Sequence, residues 1–76
     1  MNEDRRKKLK FALGLLAQAR DVVENIRDEE QGSFDNMPEG MQGGEKGQRM
    51  EEIIQQLDEA FGHIEEAEGM VDEATA

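Results

Sequence analysis

Apolar residues recur at alternating three- and four-residue steps in two long segments of the chain. In the first segment the series consists of Leu9, Ala12, Leu16, Ala19, Val23 and Ile26. In the second segment it consists of Ile53, Leu57, Ala60, Ile64, Ala67, Val71 and Ala74. This spacing gathers apolar side chains on one face of an α-helix. The pattern therefore predicts two helices of similar length, at about residues 4–30 and 48–74.

The segment between them, at about residues 31–47, holds the only proline and five of the eight glycines, so neither helix is expected to continue through it. Asn36 and Pro38 suit the cap and the first position of one short helical turn. Four side chains are expected to pack over the end of the hairpin: Phe34, Met37, Pro38 and Met41. The prediction is a single all-α domain over residues 1–76, an antiparallel and coiled-coil-like helical hairpin.

The charges along the chain favour the antiparallel arrangement. The basic run, residues 5–10, lies at the start of the first helix, where the helix dipole disfavours positive charge. In a hairpin it is expected to lie beside the acidic end of the second helix, which contains Glu65, Glu66, Glu68, Asp72 and Glu73. Such exposed pairs select orientation more than they stabilise, because each contributes only about 0.2–1 kcal/mol.

A second apolar stripe predicts association with another molecule. Phe11, Leu15 and Val22 lie outside the apolar series of the first helix. Ile54 and Phe61 lie outside the series of the second helix. One partner helix cannot cover so wide a face, and an exposed apolar patch marks an interaction site. We expect a homodimer of hairpins that forms a four-helix bundle. A stripe reserved for a different protein is the alternative.

Composition narrows the possible partners. The net charge of −10 opposes binding to nucleic acid or to an anionic membrane, and favours a basic protein partner. No segment has the eighteen or more apolar residues of a membrane span, and the N-terminus does not resemble a signal peptide. The chain has no cysteine to form a disulfide. We expect a soluble, cytoplasmic protein.

No catalytic, cofactor-binding or metal-binding motif emerges, so a non-enzymatic protein is predicted. His63 and Glu66 can meet on a helix surface, but no second histidine accompanies them. The acidic residues near the loop lack the order of an EF-hand: Asp28, Glu29, Glu30, Asp35 and Glu39. The glycines at 43, 44 and 47 are expected to give flexibility and to stop the helix. Gly14, Gly62 and Gly69 fit either close backbone approach or simple tolerance at exposed sites.

The segment from Arg27 to Gln42, RDEEQGSFDNMPEGMQ, followed by an acidic helix, resembles small acidic helical proteins of phages and prophages. The resemblance covers a third to half of the chain. It implies a mobile-element origin and a location in the host cytoplasm. It also implies a protein that binds and blocks a host protein, with an acidic face able to imitate DNA phosphates. That predicted face consists of Glu51, Glu52, Asp58, Glu59, Glu65 and Glu66. The alternative function is assembly or scaffolding, in which the helices dock on a larger complex.

Overall fold

The first helix, α1, spans Glu3–Asp35 in the computed structural model, which describes all 76 residues. Asn2 caps it, because its side-chain oxygen accepts a hydrogen bond of 2.8 Å from the Arg5 amide. Glu3 and Asp4 place negative charge in the first turn, where the dipole favours it. These three residues offset part of the unfavourable interaction between the helix dipole and the basic run that follows.

The connection between the long helices is shorter than predicted. Residues 31–35 belong to α1, whose C-cap is Asn36, and residues 45–47 begin the last helix. Between them a short helix, α2, spans Glu39–Gln42 with Pro38 as its N-cap. Asn36 therefore ends α1 and does not cap the short helical turn.

Gln42 closes the end of α1. Its side-chain Nε2 donates hydrogen bonds to the carbonyl oxygens of Phe34 at 3.0 Å and Met37 at 3.2 Å. The last carbonyls of a helix have no partner within the helix, so this amide replaces water at that end. The loop is thereby tied to the helix that it follows.

The last helix, α3, spans Glu45–Thr75, and Gly47 is buried within its first turn. A Cβ atom at residue 47 would collide with the backbone carbonyl of Gln42, so the close approach of α2 requires glycine here. The prediction that Gly47 stops the helix is wrong. Met50, one turn later, is 8% exposed and is the only buried apolar side chain.

Helices α1 and α3 pack against each other as a hairpin, which confirms the predicted all-α hairpin. The molecule is a rod of 58 × 14 × 13 Å. Its radius of gyration is 17.2 Å, compared with about 11 Å for a compact domain of this length. None of its helices combines the length and the apolar content needed to cross a membrane.

The positions shielded from solvent define a hairpin seam that differs in part from the predicted one. On α1 they follow alternating steps of four and three residues: Leu9, Leu13, Leu16, Arg20, Val23, Arg27, Glu30 and Phe34. On α3 the seam consists of the buried Met50 and the half-buried Ile54, Leu57, Phe61, Ile64, Glu68 and Val71. The predicted Ile53, Ala60 and Ala67 are half-buried beside it. Arg20 and Arg27 thus occupy places that the pattern assigned to Ala19 and Ile26, which are exposed, whereas the predicted Ala12 is half-buried beside Leu13. An arginine can do so because its aliphatic stem packs while its guanidinium reaches a carboxylate.

Candidate interaction surfaces

An ion pair crosses the middle of the hairpin seam. Arg20 Nη1 donates to both carboxylate oxygens of Glu68, at 3.1 and 2.9 Å. The two side chains are 33% and 18% exposed, so both are partly removed from water. The charge of Glu68 raises the pKa of Arg20 above its ordinary value, although desolvation acts in the opposite direction. Arg20 is therefore a permanent cation in the seam.

A second arginine lies two helical turns further along α1. Arg27 Nη1 donates to Asp58 at 2.9 Å, and its guanidinium carbon lies 5.1 Å from the centre of the Phe61 ring. Desolvation lowers the pKa of Arg27, but the hydrogen bonds and charges of Asp28 and Asp58 outweigh it, and the pKa is raised. Phe61, a predicted residue of the intermolecular interface, thus has a partner within the hairpin.

The predicted pairing of the basic run with the acidic end of α3 is wrong. Lys8 pairs with Asp4 of the same helix at 3.1 Å, and no ion pair joins residues 5–10 to α3. The register explains the difference. Because Arg20 faces Glu68, the acidic residues 65–73 lie beside the middle of α1 rather than beside its first turns.

An apolar stripe runs along the outside of α1. Phe11 is 70% exposed, Leu15 50%, Val22 61% and Ile26 47%. With Ala19, also exposed, they form what we call the outer stripe. Three of the predicted interface residues, Phe11, Leu15 and Val22, therefore share one open face. Ile54 and Phe61 lie in the hairpin seam and do not extend it.

Pairs of acidic residues repeat every seven residues along α3. The eight residues, which we call the acidic ladder, are Glu51, Glu52, Asp58, Glu59, Glu65, Glu66, Asp72 and Glu73. All eight are exposed. The acidic ladder contains the six predicted acidic residues together with Asp72 and Glu73. A seven-residue repeat nearly matches two helical turns, so the pairs stay on one side of α3 at intervals of about 10.5 Å.

The outer stripe and the acidic ladder lie on opposite sides of the hairpin seam. One groove beside the seam joins Arg27, Gln31 and Phe34 to the ladder residues Glu51 and Asp58. A second groove joins Leu13, Gly14 and Ala17 to Glu68 and Asp72. No residue of the outer stripe lines either groove. The hairpin is therefore apolar along one side and acidic along the other.

The loop side chains divide into two groups. Phe34 and Met37 are half-buried, whereas Pro38 is exposed and Met41 is 52% exposed. Sequence reasoning missed Gln42 and Gly47, whose contacts hold α2 against the start of α3. A glycine three residues into an acidic helix was the available signal for this close approach.

The remaining polar clusters stay on the solvent surface. His63 Nδ1 lies 3.7 Å from Glu66, and both side chains are more than three-quarters exposed. Asp35 accepts a hydrogen bond from Gln31 at 2.9 Å. No group of three or more histidine or acidic side chains is arranged to hold a metal ion. A Cβ atom at Gly14, Gly62 or Gly69 would meet nothing within 4 Å, so close approach within the chain does not require these glycines.

Comparisons with known proteins identify no relative. No protein-family model matches the chain, and neither a curated protein nor a solved structure matches it. The geometry of the two sides of the hairpin is thus the basis for a functional proposal.

Proposed function

We propose that this chain is a non-enzymatic protein-interaction module that self-associates through the outer stripe and binds a basic protein segment with the acidic ladder. The observation that carries the proposal is the separation of the two surfaces, apolar on one side of the seam and acidic on the other. A homodimer that covers its apolar sides leaves both acidic ladders facing outward.

The ladder is poorly neutralised within the hairpin, which supports a role in binding. Asp58 pairs with Arg27, and Glu52 pairs with Arg49 at 3.1 Å. Glu66 lies near His63, and the other five residues of the ladder take part in no ion pair. Like charges that lie along one side of a helix repel one another, so the ladder raises the free energy of the isolated fold. A basic partner would relieve that repulsion.

The charge density of α3 supports a basic protein segment more than a DNA-binding site as the partner. Residues 45–75 contain ten acidic and two basic residues, and ten less two gives eight net negative charges. At about 1.5 Å per residue, this is one net charge per roughly 6 Å. Double-stranded DNA carries one charge per about 1.7 Å. The ladder is too dilute to imitate the phosphates closely.

A binding experiment with two designed peptides tests this function. The first peptide is helical and carries paired lysines every seven residues, and the second has the same composition with the lysines scattered. The acidic ladder favours the first by about tenfold in Kd, because only its charges match the repeat. Equal affinities for the two peptides would show that the ladder acts only through nonspecific charge, and would reject the proposed binding of a basic segment.

Matched variants identify the surface responsible. Four substitutions on the ladder, Glu52→Gln, Glu59→Gln, Glu66→Gln and Glu73→Gln, should abolish the preference for the first peptide. The control neutralises four acids elsewhere, Glu3→Gln, Asp35→Asn, Glu39→Gln and Glu45→Gln, and should retain it. Equal losses in the two variants would exclude the ladder as the site.

Inhibition of a host protein is the biological role that the expected phage or prophage origin implies. In that role the basic segment belongs to the blocked protein. The second candidate function is assembly, which the outer stripe favours, because an exposed apolar face can dock on a larger component. In that case the isolated chain is monomeric, and substitutions in the stripe abolish docking while substitutions in the ladder do not.

A further inference from the structure

The exposed face of α1 has the same pattern when it is followed in either direction. Eight exposed residues form it: Lys8, Phe11, Leu15, Gln18, Ala19, Val22, Ile26 and Glu29. The steps between them are three, four, three, one, three, four and three residues. At 3.6 residues per turn, all eight lie within about 100° of the helix circumference. Such a face can pair with an identical copy of itself that runs in the opposite direction.

We infer that a second copy of the chain occupies this face, with its α1 antiparallel and the two-fold axis between Gln18 and Ala19. The inference rests on the self-association proposed above and specifies its geometry. In this arrangement Phe11 faces Ile26 of the second copy, and Leu15 faces its Val22. Lys8 faces Glu29 of the second copy at each end. Apolar residues therefore meet apolar residues, and opposite charges meet at both edges of the patch.

The charges along α1 decide whether the two copies of α1 pair parallel or antiparallel. The basic run at residues 5–10 and the acidic run at residues 28–30 lie at opposite ends of the outer stripe. Parallel helices would place each run against its own copy, and like charges in such positions disfavour pairing. Antiparallel helices place the basic run of one copy beside the acidic run of the other. The distribution of charge thus favours a two-fold axis across α1.

The exposed area of the hairpin matches what a dimer needs to bury. The hairpin exposes 5626 Å², whereas a compact monomer of 8.6 kDa exposes about 4,700 Å². The excess of about 900 Å² is close to the roughly 800 Å² that each partner contributes to a standard protein interface. A second copy is therefore an occupant of the appropriate size.

Residues of α3 on the stripe side of the seam permit the approach of a second hairpin. They recur every seven residues: Ile53, Ala60 and Ala67 are half-buried, and Ala74 is exposed. The residues that follow the seam positions Met50, Leu57 and Ile64 belong to the acidic ladder and lie on the other side. Three of the four residues on the stripe side are alanine, so the side chains on that side are short.

Cross-linking of single-cysteine variants tests the orientation, because the chain has no cysteine of its own. Gln18→Cys lies beside the axis and should cross-link to its own copy through a short bismaleimide. Lys8→Cys should not cross-link to itself, because the two copies of residue 8 lie about 31 Å apart along antiparallel helices. A mixture of Lys8→Cys and Glu29→Cys should cross-link. Self-cross-linking of Lys8→Cys would overturn the antiparallel arrangement and leave self-association standing.

Charge exchange tests the predicted ion pair. Lys8→Glu should weaken the dimer by about tenfold in Kd relative to Lys7→Glu, which makes the same change in net charge on a neighbouring face. The double variant Lys8→Glu/Glu29→Lys should return the Kd to within about threefold of the wild type. Equal effects of Lys8→Glu and Lys7→Glu, or no recovery in the double variant, would overturn the arrangement. A monomeric wild type would overturn both the arrangement and the proposed self-association.

Discussion

Arg20 and Glu68 are joined across the hairpin seam by two hydrogen bonds from one guanidinium nitrogen, at 3.1 and 2.9 Å. They are 48 residues apart in the sequence, and their contact fixes which turns of α1 and α3 are neighbours. A shift of one turn in either helix would leave two partly buried charges without partners. This pair therefore selects the register of the hairpin.

Removing one member of this pair should destabilise the hairpin more than removing both. Arg20→Leu leaves Glu68 partly buried and unpaired, and Tm should fall further than in Arg49→Leu, which breaks the exposed Arg49–Glu52 pair. Arg20→Leu/Glu68→Leu should recover stability, because two leucines fill the seam without a desolvated charge. Thermal melting followed by circular dichroism measures all three. A double variant less stable than Arg20→Leu would contradict this role of the pair.

Met50 is the most deeply buried apolar side chain, and its truncation should be costly. We expect Met50→Ala to lower the free energy of unfolding by about 2–3 kcal/mol in urea titrations. Such a loss corresponds to roughly 12–19 °C in Tm for a domain of this size. Met41→Ala is the matched control, and because Met41 is 52% exposed its effect should stay within about 0.5 kcal/mol. Equal effects of the two truncations would contradict the packing described for α3.

Two glycine substitutions should have opposite effects. Gly47→Ala places a methyl group against the Gln42 carbonyl and should lower stability by about 2 kcal/mol or more, because backbone must move. Gly14→Ala meets no atom within 4 Å and should raise stability by about 0.5–1 kcal/mol through its higher helix propensity. Urea titrations of both variants give the comparison. A neutral Gly47→Ala would show that α2 does not pack closely on α3.

Salt should stabilise the protein. With a net charge of −10 and an acidic ladder on one helix, repulsion dominates, and it weakens as the Debye length falls. Tm should rise by a few degrees as NaCl increases from about 20 mM to about 150 mM, where the Debye length is about 8 Å. The variant with four glutamines on the ladder should lose most of this dependence. A Tm that falls with salt would indicate that attractive ion pairs outweigh the repulsion.

The two long helices and their hairpin were predictable because apolar spacing reports helical faces directly. The seam was harder to assign, since two series start at Leu9 and both follow three- and four-residue steps. One continues through Ala12, Ala19 and Ile26, and the other through Leu13, Arg20 and Arg27. Apolar content alone favours the first. The structure adopts the second because each arginine finds a carboxylate on α3, a contact that spacing within one helix cannot reveal.

The outer stripe was predictable in part, because apolar spacing also reports this second helical face. Phe11, Leu15 and Val22 were expected on a separate face, and the shift of the seam adds Ala19 and Ile26 to them. The same shift moves Ile54 and Phe61 into the hairpin. The glycine at residue 47 signals a close approach, but its partner Gln42 was not predictable, because the contact depends on the angle at which α2 meets α3. Self-association and the function of the acidic ladder stay predictions.

Sedimentation equilibrium of the wild-type chain tests the central claim, that one hairpin cannot cover its own apolar side. At micromolar concentration the account predicts a mass twice the 8.6 kDa of the chain, and dissociation in a Phe11→Glu variant. A well-folded particle of 8.6 kDa at every concentration would contradict it.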